Sequence, residues 1–126
     1  AGLRHVALYV QDLTAAEKFY CELLGMIVEW RPDRDNIYLT SGCDNLALHK
    51  AQHAFAENSK QRLDHMGFIL KTPEDVDAWH EFLLSHNVPM KSVPKDHRDG
   101  ARSFYCEDPD GNTVQLIYHP PISKIV

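Results

Sequence analysis

The sequence predicts an α+β fold in which one βαβββ module is used twice. Three observations carry this expectation. The segment LRHVALYV at 3–10 returns as LDHMGFIL at 63–70, with Leu3 over Leu63 and His5 over His65. A capped helix start follows each copy, and behind each helix stand three further strand candidates. Phe19 and Trp79, and Leu23 and Leu83, keep the same offset as the two histidines, which favours duplication over two unrelated βα units.

In chain order, the run 3–10 alternates as a half-buried strand does. Thr14-Ala15-Ala16-Glu17 reads as a capping box, the Thr hydroxyl capping an early N–H while Glu17 reaches back. Ala16, Phe19, Tyr20, Leu23 and Leu24 form an apolar stripe at helical spacing, stopped by Gly25. MIVEW (26–30), NIYLT (36–40) and NLALH (45–49) complete the first module. AQHAFAENSKQR (51–62) is polar, poorly periodic and read as a linker.

In the second module, Thr72 precedes a Pro at the first helical position, with Glu74 and Asp75 in the first turn. The stripe Val76, Trp79, Leu83, Leu84 ends near Asn87-Val88-Pro89. PMKSV (89–93), RSFYCE (102–107) and TVQLIYH (113–119) are the remaining strands. Asp108-Pro109-Asp110-Gly111 is a type I turn that fixes the register of the last one. One domain over 1–126 is expected, with module 1 about 1–50, linker 51–62, module 2 about 63–121 and a tail 122–126.

Composition narrows the function classes. At 126 residues the chain supports one ordinary core. Its net charge of −5 offers no basic stripe to neutralise phosphates, which argues against nucleic acid. No apolar run approaches a membrane span, and the N-terminus lacks signal-peptide organisation. Cys21, Cys43 and Cys106 are odd in number and widely spaced. They fit reduced thiols in a cytoplasm, with Cys21 and Cys106 as packing residues rather than nucleophiles.

Of eight histidines, His53, His80 and His86 are expected to be solvated. His5 and His65 differ because they occupy equivalent strand positions. If the modules pack about a pseudo-twofold axis, both approach it, with small Ala7 and Gly67 leaving room beside each ring. Aligning NLALHK on TVQLIYH through their Leu positions puts Ala47 opposite Gln115 and His49 opposite Ile117. Four equivalent positions, His5, Ala47, His65 and Gln115, are then expected to face one cup. Two imidazoles and one oxygen would leave coordination positions open, as a catalytic metal requires.

LRHVALYVQDLTAAEKFYCELLGM, DHMGF and SFYCEDPDGNTVQL, taken in order over nearly the whole chain, resemble the vicinal oxygen chelate (VOC) superfamily. This is the glyoxalase, bleomycin resistance protein and extradiol dioxygenase family. The resemblance implies paired βαβββ modules forming a curved, incomplete eight-stranded barrel within a homodimer, and a divalent metal that chelates vicinal substrate oxygens. It assigns His5 and His65 as metal ligands and Gln115 to the terminal ligand position, where relatives carry a glutamate. Tyr105 matches a tyrosine near the metal.

Gln115 departs from the metalloenzyme pattern, since an amide oxygen supplies a dipole where a carboxylate supplies a charge. With Ala47 also lacking a carboxylate, glyoxalase I chemistry itself is disfavoured. The leading expectation is a divalent-metal-dependent enzyme (Mn, Fe, Ni or Zn) acting on a small substrate with vicinal oxygens. It would be of lyase, dioxygenase or thiol transferase type, with Tyr105 and His49 as acid/base candidates. The competing expectation is a metal-free dimer that sequesters a small molecule in the manner of bleomycin resistance, with Trp30, Tyr38 and Phe104 lining its cup. His97 and His119 are left as lid or rim residues.

Overall fold

Alternation at the start of the chain becomes strand β1 (His5–Val10), with Leu8 and Val10 buried and His5, Ala7 and Tyr9 exposed. The computed structural model describes residues 3–55 and 63–124, so most of the predicted linker lies outside the described residues. The chain divides into two compact units, residues 1–60 and 61–126.

In the first unit, Asp12 rather than Thr14 caps helix α1 (Leu13–Glu17), its carboxylate accepting from the Ala15 N–H at 2.9 Å. The correction has a simple cause. Asp is at least as good a cap as Thr, and starting two residues earlier brings Leu13 into the helix. Glu17 is thereby free to pair with Arg31, which donates two bonds of 2.9 Å.

The helix continues as a π-helical segment, Lys18–Leu23, marked by a Leu24 N–H bond to the Phe19 carbonyl. Phe19 and Tyr20 are both buried there, packed edge to face with centroids 4.9 Å apart. Gly25, at φ +82°, ends the segment as expected.

Strands β2 (Ile27–Asp33), β3 (Asn36–Thr40) and β4 (Asn45–Lys50) follow. The sheet order is β1-β4-β3-β2, with β1 parallel to β4 and the other pairs antiparallel. One face packs Val10, Ile37, Leu39, Leu46 and Leu48 into the core. The other carries His5, Tyr9, Asn36, Tyr38 and His49.

The second unit repeats this order as β5-β8-β7-β6. Strand β5 (Met66–Leu70) is parallel to β8 (Thr113–Tyr118), which pairs antiparallel with β7 (Arg102–Glu107). The intervening helix α2 (Pro73–Ser85) carries the capping box read from Thr72 and Asp75. Val76 and Leu83 are buried, whereas Leu84 is 53% exposed and drops out of the expected stripe. His80 takes a place on the inner side, edge to face with Phe104 at 5.1 Å. The short helix α3 (Pro120–Ser123) follows β8 and is tied back by a Ser123 hydroxyl bond to the Leu70 carbonyl.

One further expectation is corrected here. PMKSV forms no regular strand; Met90 makes an isolated bridge to Cys106, and the edge strand is β6 (Lys95–Asp96). Pro89 and Pro94 offer no N–H, and the Lys91 and Ser92 N–H groups both turn to the Tyr105 carbonyl, which breaks the ladder. The eight strands occur as two four-stranded mixed sheets, one in each unit. The α+β class and duplicated module stand. The equivalence of the modules extends to register, since Ala7 pairs with Ala47 where Gly67 pairs with Gln115.

Candidate functional site

On the exposed face of the first sheet, β1 and β4 place His5 beside Asn45. The His5 Nδ1–H donates to Asn45 Oδ1 at 2.7 Å, and Asn45 Nδ2 donates to Glu29 Oε2 at 2.7 Å. Glu29 thus fixes which end of the Asn45 amide meets the imidazole. Since a carboxamide oxygen only accepts, His5 Nδ1 carries a hydrogen, and in the neutral imidazole the lone pair is on Nε2.

The same relay occurs again on that face. The His49 Nδ1–H donates to Asn36 Oδ1 at 2.6 Å, and Asn36 Nδ2 donates to both oxygens of Asp33 at 2.9 and 3.1 Å. Tyr9 and Tyr38 flank the ring with centroids about 6 Å away. A cavity of about 610 Å³ opens here, lined by Tyr9, Asp35, Asn36, His49, Lys50 and Gln52 among others. His49 pairs with Tyr9, four residues along β1 from His5, so about 13 Å of strand separates the two histidine rows.

In the second unit, β5, β7 and β8 bring His65, Tyr105 and Gln115 together. Gln115 is 8% exposed, and its amide nitrogen donates to Ser103 Oγ and to the Tyr105 hydroxyl, each at 3.0 Å. Among the described residues its Oε1 accepts no hydrogen bond; it lies beside Gly67, 3.7 Å from where a Cβ would stand. The His65 ring meets Tyr105 edge to face at 5.3 Å, and its Nδ1–H donates to Asp64 at 2.6 Å. Ser103, 2% exposed, also meets His97 Nε2 at 2.8 Å.

Several partners of these side chains had no signal in the sequence. Asn45, Glu29, Asn36, Asp33 and Ser103 carry no motif signal, although strand alternation puts Ser103 and Tyr105 on one face. Phe104, expected in the cup, is fully buried on the opposite face, because it alternates with those two residues. Trp30 remains 59% exposed and stacks on Tyr38 at 5.2 Å. Burial pushes the Cys106 thiol up to about 12, which removes it as a nucleophile. Among the described residues no three His, Cys, Asp or Glu side chains gather as a metal cluster. No described helix is long and apolar enough to cross a membrane.

Comparison with known proteins agrees with this architecture. The family model for the Glyoxalase/Bleomycin resistance protein/Dioxygenase superfamily matches residues 2–116. The chain is 27% identical over 128 residues to the uncharacterized protein YaeR of Escherichia coli K12, covering 90% of this chain and 93% of that protein. It is similar in structure to a lactoylglutathione lyase from Agrobacterium tumefaciens, with TM-score 0.78, 25% identity, and 94% and 93% of the two chains covered. The fosfomycin resistance protein FosX of Listeria monocytogenes shares the fold, with TM-score 0.78, 18% identity, and 99% and 98% covered.

Proposed function

Because the chain belongs to the Glyoxalase/Bleomycin resistance protein/Dioxygenase superfamily, we propose that it acts on a small molecule with vicinal oxygens, using a divalent metal held by His5, His65 and Gln115. The observation that carries this reading is the presetting of each donor atom. Both histidines have Nδ1–H engaged by a side-chain oxygen, which leaves Nε2 as a lone-pair donor. Such outer partners are the usual company of metal-ligating imidazoles. Gln115 has its nitrogen engaged twice, which turns its oxygen outward. Two imidazoles and one amide oxygen suit Mn, Fe, Ni or Zn and leave positions for substrate.

A divalent cation there would polarise the oxygens of a chelated substrate. The chain's own part is positioning and proton handling. Tyr105 accepts from Gln115, so its own hydroxyl hydrogen is available to a ligand oxygen, and it is the acid/base candidate of the second unit. His49, with Nε2 held as a base, is the candidate of the first. Neither Ala47 nor Gln115 supplies a carboxylate, so glyoxalase I activity is not proposed. A homodimer and a small-molecule partner belong to the same proposal.

One observation favours a second reading, metal-free sequestration of a flat or cationic compound: the Trp30–Tyr38 stack offers an open aromatic plate. Elemental analysis of protein purified without chelators separates the two. Close to one equivalent of metal is expected. Far less, with none regained on adding Mn, Fe(II), Ni or Zn, would refute the metal-dependent reading.

A further inference from the structure

A carboxamide has two unlike ends, and the hydroxyls of Ser103 and Tyr105 can each meet either one. Something else must decide which end of Gln115 faces outward. We propose that His97 makes this choice, acting through Ser103 as a positioning residue that sets the ligand class accepted by the second unit. The inference rests on the reading that Gln115 faces the ligand.

Ser103 Oγ has one hydrogen to give and is buried between two partners, His97 Nε2 at 2.8 Å and the Gln115 amide at 3.0 Å. If His97 carries its hydrogen on Nδ1, its Nε2 accepts the Ser103 hydrogen. Ser103 then has only lone pairs left for Gln115 and meets the amide nitrogen. The second amide hydrogen goes to Tyr105, and Oε1 is presented outward. That state suits a cation or a hydroxyl donor.

If His97 carries the hydrogen on Nε2, the chain reverses. His97 donates to one Ser103 lone pair, and the buried Ser103 hydrogen then finds a partner only if the amide turns its oxygen inward to accept it. Gln115 then presents two N–H groups, which suit a carboxylate or another anionic oxygen. The Gln115 amide is oriented as in the first of these states.

His97 is well placed to hold it. It opens the β6–β7 turn, its N–H donates to the Ala101 carbonyl at 2.8 Å, and Gly100 at φ +88° donates back to its carbonyl at 3.1 Å. Lys95 pairs with Ser103, so His97, two residues on, projects from the same side of the hairpin as the serine.

Two measurements test this. In the wild-type chain, ¹⁵N-histidine NMR is expected to find the Nδ1–H tautomer at His97; the Nε2–H tautomer would overturn the proposal. Mn(II) titrations then compare wild type, His97→Phe, Gln115→Glu and the double variant. His97→Phe should weaken Mn(II) binding about tenfold when residue 115 is Gln, as loss of an outer-shell partner does. The loss should stay under about twofold when it is Glu, because a carboxylate has oxygen at both ends and independent sites add. Equal losses in both backgrounds would mean that His97 is only structural, and would overturn the proposal. No Mn(II) binding by any of the four refutes the metal reading above, not this one. The tautomer then decides, together with the Gln115 side-chain amide resonances, which must shift in His97→Phe.

Discussion

Replacing Asn45 by Leu tests whether the relay behind His5 matters for ligand binding. The substitution keeps the branched side-chain shape but removes two hydrogen bonds of 2.7 Å, one from His5 Nδ1–H and one to the Glu29 carboxylate. The imidazole is then free to rotate and to place its hydrogen on Nε2, which blocks the donor atom. Loss of such a partner lowers metal affinity by about 10- to 100-fold, or about 1.4–2.7 kcal/mol. Global stability should change far less, because His5 and Glu29 are both exposed. Isothermal titration with Ni(II), alongside urea unfolding, separates the two effects. A Ni(II) affinity within twofold of wild type, with the His5 tautomer unchanged by ¹⁵N NMR, would refute the idea that Asn45 and Glu29 preset this ring.

Thiol chemistry should follow burial, with Cys43, which is exposed, reacting first with a disulfide reagent at pH 8. Cys106 should react only on unfolding, since burial holds its thiol at about 12. Phe104→Ala should cost about 3–5 kcal/mol in urea unfolding, because the ring is fully buried against His80. Hydrogen bonds from Arg102 hold the Asp77 carboxyl below its ordinary value. The folded state therefore binds that proton less readily than the unfolded chain. The resulting stabilisation is present above about pH 4 and fades as pH falls through the lowered value. Asp77→Asn should flatten that acid limb, by a small amount because the pair is half-exposed, and acid titration of the unfolding midpoint checks it.

The duplicated module was legible because it depends on period and offset, which a sequence displays. His5, His65 and Gln115 could be placed on faces because strand alternation is rigid. The errors arose where several local solutions compete. Asp12 and Thr14 can both cap, and the earlier start adds Leu13 to the helix. PMKSV has strand-like residues, but its prolines and a shared carbonyl break the ladder. The π-helical turn has no pattern of its own. The relays stayed hidden for a different reason: His5 and Asn45 lie 40 residues apart, and only the β1–β4 register makes them neighbours.

That register also governs how the chain can be assembled. In each unit the last strand made, β4 or β8, lies inside the sheet between the first strand and the hairpin partner. While the chain leaves the ribosome, β1 and β3 therefore have no ladder between them until residues 45–50 emerge. Between the completion of β3 and that of β4 the nascent module exposes two unpaired edges, the condition that invites association with other chains. Closure by the final strand completes the sheet and also brings Asn45 to His5, so on this topology the first donor is aligned only when its module is whole.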